Sequence, residues 1–337
     1  MHLRRMVSMK KFLGCLITIT LILFFSSWGF LVHRTTTQIA VYQLPKTIQP
    51  FFYQNLDYLV KNSVRPDQRR NTDKTEETKH FIDFEVFGDS AAWKMPADWN
   101  KAVKLYTKDS LLKYGYLPYW IMVMKDRLTA AYQSGNKDTI LFYAADIAHY
   151  IADLHVPLHT TLNYDGQLTN QKGMHSLWES MIPEIELENY RLYNNHKARY
   201  LGNPAKEVWS AARTAHVLLK NVFEKEKEVS KKFTDSTKYR WQKRNGRDVR
   251  SYSTAFARAY GKELGNSINK QLLRSSNLIA DFWYTAWVDA GRPALSGLYQ
   301  WIDKDKEELK AEQKSFKKNK LIKHKLLIAR QKKDNDD

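Results

Sequence analysis

From Gln38 to Val64 apolar side chains return every three or four positions, at Ile39, Val41, Tyr42, Ile48, Phe51, Phe52, Leu56 and Leu59, with Pro45 and Pro50 cutting the pattern. That period marks a helix with one buried face. Because proline lacks a backbone donor and clashes with the preceding turn, the stretch is expected as several short helices. Asn71 to Lys79 is charged and aperiodic, which predicts a solvated loop. Longer helical patterns cover Tyr116 to Gln133, Lys137 to Leu154, Lys206 to Lys225 and Tyr252 to Val288. No run of strict two-residue alternation long enough for a sheet stands out, so the expected class is all-α, a single multi-helix domain.

Both ends of the chain depart from this pattern. Gly291-Arg292-Pro293 closes the last apolar helix, and beyond about Asp303 the composition turns to Lys, Glu, Asp and Gln, with Leu321, Ile322, Leu326, Leu327 and Ile328 scattered among them. Residues 303–337 therefore read as a basic charged tail, frayed helix or disordered. At the start, Arg4, Arg5, Lys10 and Lys11 precede an apolar run of 14 residues, Phe12 to Phe25. A helix needs about 20 residues to cross a bilayer, so residues 1–27 read as a cleaved signal peptide rather than an anchor. Residues 28–302 are then the working domain of an exported protein, periplasmic or secreted.

Composition narrows the chemistry. The 337 residues carry one cysteine, Cys15, inside the apolar run, so neither a disulfide framework nor a thiolate metal site can form and any metal must use His and carboxylate ligands. A formal net charge of +18 attracts anions over roughly a Debye length, which suits phosphate-bearing substrates and anionic membrane surfaces alike.

The informative stretch runs from His149 through Asp153, His155 and Pro157 to His159. His149 and Asp153 are four apart, on one helix face, where both reach one ion. Pro157 bends the chain so that His159 points to a neighbouring ion. Sixteen residues later His175 and Glu179 repeat the four-residue spacing. A single His and carboxylate pair of this kind more often forms a salt bridge; the repetition is what favours metal. His155, two residues from Asp153, falls on another face and reads as structural. Asn163-Tyr164-Asp165-Gly166-Gln167, between His159 and His175, reads as a polar loop able to touch substrate, with Asn163 a candidate contact.

In order, Trp28-Gly29 with His33, Asp67, His80-Phe81-Ile82-Asp83, the His149 to His159 segment and His175 to Glu179 resemble the superfamily of zinc-dependent phospholipases C and single-strand-specific fungal and plant nucleases. The resemblance implies three zinc ions. Asp67, His80, His149 and Asp153 would hold the first; His159, His175 and Glu179 the second; His33, a bridging Asp153 and the amino nitrogen and carbonyl of Trp28 the third. That last pair of ligands would make signal cleavage an activation step, since only a free terminal amine offers a lone pair. The resemblance further implies that Asp67 and Asp153 would be catalytic through the metals they hold, which would supply a metal-bound hydroxide for phosphodiester hydrolysis. Phe81 and Asp83 match positions that stack on and hydrogen-bond a base in the nucleases, and Arg70 matches an arginine placed near the phosphate. Glu179, by contrast, matches the phospholipases.

The expected activity is thus a zinc-dependent phosphodiesterase leaning to single-strand nuclease or nucleotidase action. A phospholipase C on lipid head groups and a non-catalytic, zinc-stabilised envelope protein are the alternatives. No nucleophile elbow or phosphate-cradling glycine loop competes with this reading.

Overall fold

A computed structural model describes residues 29–244 and 247–331. The signal-peptide region and Trp28 lie outside them. Seven helices of eleven residues or more build the described fold: α1 (Phe30–Gln43), α2 (Leu117–Ser134), α3 (Lys137–Asp153), α4 (Pro204–Ser230), α5 (Thr254–Leu264), α6 (Ser267–Asp289) and α7 (Asp303–Lys317). The 38–64 region forms the expected short pieces, with the end of α1 followed by Gln49–Gln54 and Leu56–Asn62.

Local chemistry sets the helix ends. The Asn136 side chain accepts from the Thr139 amide to start α3, and Asn203 accepts from Lys206 ahead of Pro204 to start α4. Gly135 stops α2 in the left-handed conformation at φ 65°. Helices α1, α2, α3 and α6 pack on one another, and the core follows their apolar faces. Every residue of α3 from Ala144 to Asp153 is buried, so the polar members of that stretch sit inside the protein.

Three expectations need correction. The apolar pattern from Tyr252 to Val288 is two helices, because Gly265 at φ +58° ends α5 before α6 begins. A two-stranded antiparallel hairpin, β1 (Tyr239–Arg244) and β2 (Arg247–Tyr252), was not expected, because its alternation is of basic, polar and aromatic residues rather than apolar and polar ones. Nor do described residues beyond Asp303 fray. Leu309, Phe316, Leu321 and Leu327 are buried in a second apolar cluster, while Gln38 of α1 donates to the Leu326 carbonyl and accepts from the Ile328 amide. Few apolar residues suffice there because the backbone polar groups are matched as well.

Candidate metal centre

Along α3, Asp146, His149, Tyr150 and Asp153 share one face and form a polar stripe in an otherwise apolar helix. The chain then turns through Val156-Pro157, and the Pro157–Thr160 turn presents His159. His175 and Glu179 follow in a short helical segment opened by Gly173. α1 brings His33, whose ring stacks on His149 at 4.1 Å between centroids and 16° between planes. The short helix Arg65–Arg69 carries Asp67.

These side chains converge. Asp153 Oδ2 lies 2.8 Å from His80 Nδ1 and 3.2 Å from His149 Nε2, while its Oδ1 lies 3.5 Å from His33 Nε2. Asp67 Oδ1 is 3.8 Å from both His80 Nδ1 and His149 Nε2. Glu179 Oε2 approaches His175 Nε2 at 2.7 Å and His159 Nε2 at 3.3 Å, and its Oε1 reaches toward His33 at 3.6 Å. Four overlapping groups thus have ligand atoms within 4.8 Å of one another: His80, His149 and Asp153; His33, Asp67 and His149; His33, Asp153 and Glu179; His159, His175 and Glu179.

The donors fit zinc. Nδ1 of His149 donates to the Ser63 carbonyl at 2.8 Å and Nδ1 of His159 to the His80 carbonyl at 2.7 Å, so in the neutral rings the Nε2 lone pairs point into the cluster. Donors about 2.0–2.1 Å from a tetrahedral zinc stand roughly 3.3 Å apart, close to the 2.7–3.3 Å spacings of His159, His175 and Glu179. The field agrees. Burial opposes the imidazolium of His159, yet Asp153 and Glu179 push its pKa up to about 9; His33 and His80 are raised in the same way. Burial also opposes ionisation of Asp153 and Glu179, yet the surrounding histidines hold both well below the usual carboxylate range. A site that gathers protons so strongly is a site for cations.

A second layer, missed in the sequence, lies beneath His80. Glu76 Oε1 is 3.5 Å from His80 Nε2; the same carboxylate takes hydrogen bonds from Arg69 at 3.0 Å, Lys79 at 2.9 Å and the Tyr150 hydroxyl. Arg69 continues to Asp146 at 2.9 Å, and Arg65 joins it at 2.6 Å. Glu76 and Lys79 are buried, so the expected solvated loop from Asn71 to Lys79 holds two interior charges, neutralised by each other and by Arg69. The stripe spacing of Asp146 and Tyr150 with His149 and Asp153 was the available signal.

Ile82 donates to the His159 carbonyl and Asp83 to that of Tyr114, which pins the segment after His80 beside the centre. Phe81 is half-buried, and its carbonyl passes so close to Gly115 that a Cβ there would clash with it. Asp83 is buried without a side-chain partner among the described residues, and burial, with a smaller push from Glu85, raises its carboxyl to about 7. Arg70 is exposed at the rim, 3.5 Å from Asp67 Oδ1. Asn163 spends its carboxamide inside its own loop, on Thr169 and the Leu168 amide. His155 is buried, donates to the Ile151 carbonyl and has its pKa lowered to about 4 by burial, so it stands apart from the ligand set as a neutral ring.

A mainly helical frame thus gathers buried imidazoles and carboxylates into groups that could hold metal ions. The chain belongs to the S1/P1 nuclease family, whose model matches residues 28–285, and through it to the zinc-dependent phospholipase C and nuclease superfamily. No curated protein matches it.

Proposed function

We propose that the protein is an exported, zinc-dependent enzyme that hydrolyses phosphodiester bonds of single-stranded nucleic acid, with nucleotidase action on the ends. One observation carries the reading: Asp153 divides its two oxygens between the His80 and His149 pair on one side and His33 on the other, as a carboxylate bridging two ions would. The ligand assignment keeps Asp67, His80, His149 and Asp153 for one ion, His159, His175 and Glu179 for a second, and His33 with Asp153 for a third. Trp28, outside the described residues, would complete the third through its freed amine. Zinc bound there supplies Lewis acidity that activates water and offsets phosphate charge.

The chain's own groups do the rest. Carbonyls of Ser63 and His80 fix the His149 and His159 rings, and the Glu76 carboxylate faces His80 Nε2 at 3.5 Å. Arg70, at the open rim, is positioned to neutralise the phosphate. Phe81 offers a face on which a base stacks, and Asp83 offers a carboxyl for its edge. Asn163 shapes the loop that borders the cleft.

The test offers single-stranded DNA and RNA beside a choline phosphodiester. Nucleic acid should be cut, activity should vanish with a chelator and return with zinc, and His149→Ala and Asp153→Ala should be inactive. Turnover of the choline ester alone would overturn the substrate assignment. About one ion per chain without chelator-sensitive hydrolysis would instead indicate a structural zinc.

A further inference from the structure

The hairpin takes no part in the chemistry above. Its residues from Tyr239 to Tyr252 include five basic side chains against one acidic, Asp248. Trp241, 71% exposed, is the most exposed large apolar side chain among the described residues. It pairs in register with Arg250, and Lys243 with Asp248, so Trp241, Lys243 and Arg250 share one face with Tyr239 and Tyr252. On that face the Arg250 guanidinium lies 4.1 Å from the Tyr239 ring centroid and has no carboxylate partner among the described residues.

The root of the hairpin is fixed at the edge of the metal centre. Tyr252 donates to the Gln171 carbonyl and to Glu226, a carboxylate also held by Lys238 and Gln171. The Tyr252 ring packs on Gly173, two residues before His175. Lys172, between these anchor points, is exposed. With a rise of about 3.3 Å per residue, Trp241 stands roughly 7 Å from this root.

We infer that the hairpin is a binding arm for the single-stranded substrate: a base stacks on Trp241 while Arg250, Lys243 and Lys172 neutralise phosphates of the strand leading to the metal centre. This rests on the nuclease reading. Membrane insertion is a poorer match, because the single tryptophan sits within β1 while the tip sequence, Lys243 to Asp248, is charged and polar.

The zinc-loaded Trp241→Ala/Arg250→Ala variant tests the arm, with thermal unfolding confirming an unchanged fold. Its affinity for a phosphorothioate oligodeoxythymidine, which resists cleavage, should fall about tenfold or more by fluorescence anisotropy, with a salt dependence shallower by about one unit of slope. Catalytic efficiency should fall on a long oligodeoxythymidine relative to bis(p-nitrophenyl) phosphate, which is too small to reach the arm. Unchanged oligonucleotide binding and an unchanged ratio overturn the arm and leave the hydrolase standing. Loss of binding to phosphatidylglycerol vesicles with oligonucleotide binding intact also overturns it. If the parent protein hydrolyses neither substrate, the nuclease reading fails, and the binding loss judges the arm separately.

Discussion

The Nε2 atoms of His159 and His175 face each other at 2.9 Å, and Glu179 Oε2 lies 2.7 Å from the second of them. His159 gives its other nitrogen to the His80 carbonyl, so its inward lone pair needs either a proton or a metal as its neighbour. A dication satisfies both imidazoles and the carboxylate at once.

His175 is the most open of the three, its side chain 32% exposed, so removing it should spare the core. His175→Ala is expected to lose one zinc per chain by elemental analysis and nearly all hydrolysis, with little change in thermal stability. A full metal complement in the variant would show that this group is not a ligand set.

Glu76 acts through His80. His80 presents Nδ1 to the cluster and turns Nε2 toward the Glu76 carboxylate at 3.5 Å, so the negative charge favours the proton on Nε2. Glu76→Gln keeps the shape and most hydrogen bonds but loses the charge. It should weaken zinc binding by about 10- to 100-fold in competition with a chelator, while excess zinc restores activity. Unaltered zinc affinity would reduce Glu76 to a fold-stabilising role.

These two predictions differ in how far the sequence foretold them. Four-residue spacing within one helix fixes His149 with Asp153, and His175 with Glu179, whatever the rest of the chain does. His33, Asp67 and His80 come from separate elements, and only the resemblance to a family brought them into the set. Glu76, Arg69 and Lys79 looked like a solvated charge run because a buried charge is recognisable only once its partners are in place. The hairpin escaped for a related reason. Arginine and lysine fill its alternating positions, and Asn245-Gly246, the strongest short-range hairpin signal, was its main local trace.

Asp83 gives a pH dependence whose sign differs from that of a salt-bridged carboxylate. Burial raises its folded pKa to about 7, above the ordinary value of 3.8, so between those pH values the folded state binds the extra proton. Its contribution is therefore present at low pH and lost as pH rises through about 7. Asp83→Asn removes the cost of burying the charge. The variant's melting temperature, measured against the parent, should rise by more at pH 8 than at pH 5. A difference independent of pH would place the titration elsewhere.

Phe316 tests whether the basic C-terminal segment belongs to the fold. Its ring is 4% exposed and meets Tyr42 of α1 and Tyr193, each at 5.2 Å between centroids. Tyr42 also donates to Glu312 at 2.6 Å, so α7 grips α1 by an apolar and a polar contact one turn apart. Truncating a buried phenylalanine costs about 3–5 kcal/mol, whereas the same change in a solvated tail would cost almost nothing. Phe316→Ala should lower the denaturant midpoint by a matching amount without altering the slope. An unchanged midpoint would mean that the segment beyond Asp303 merely rests on the surface.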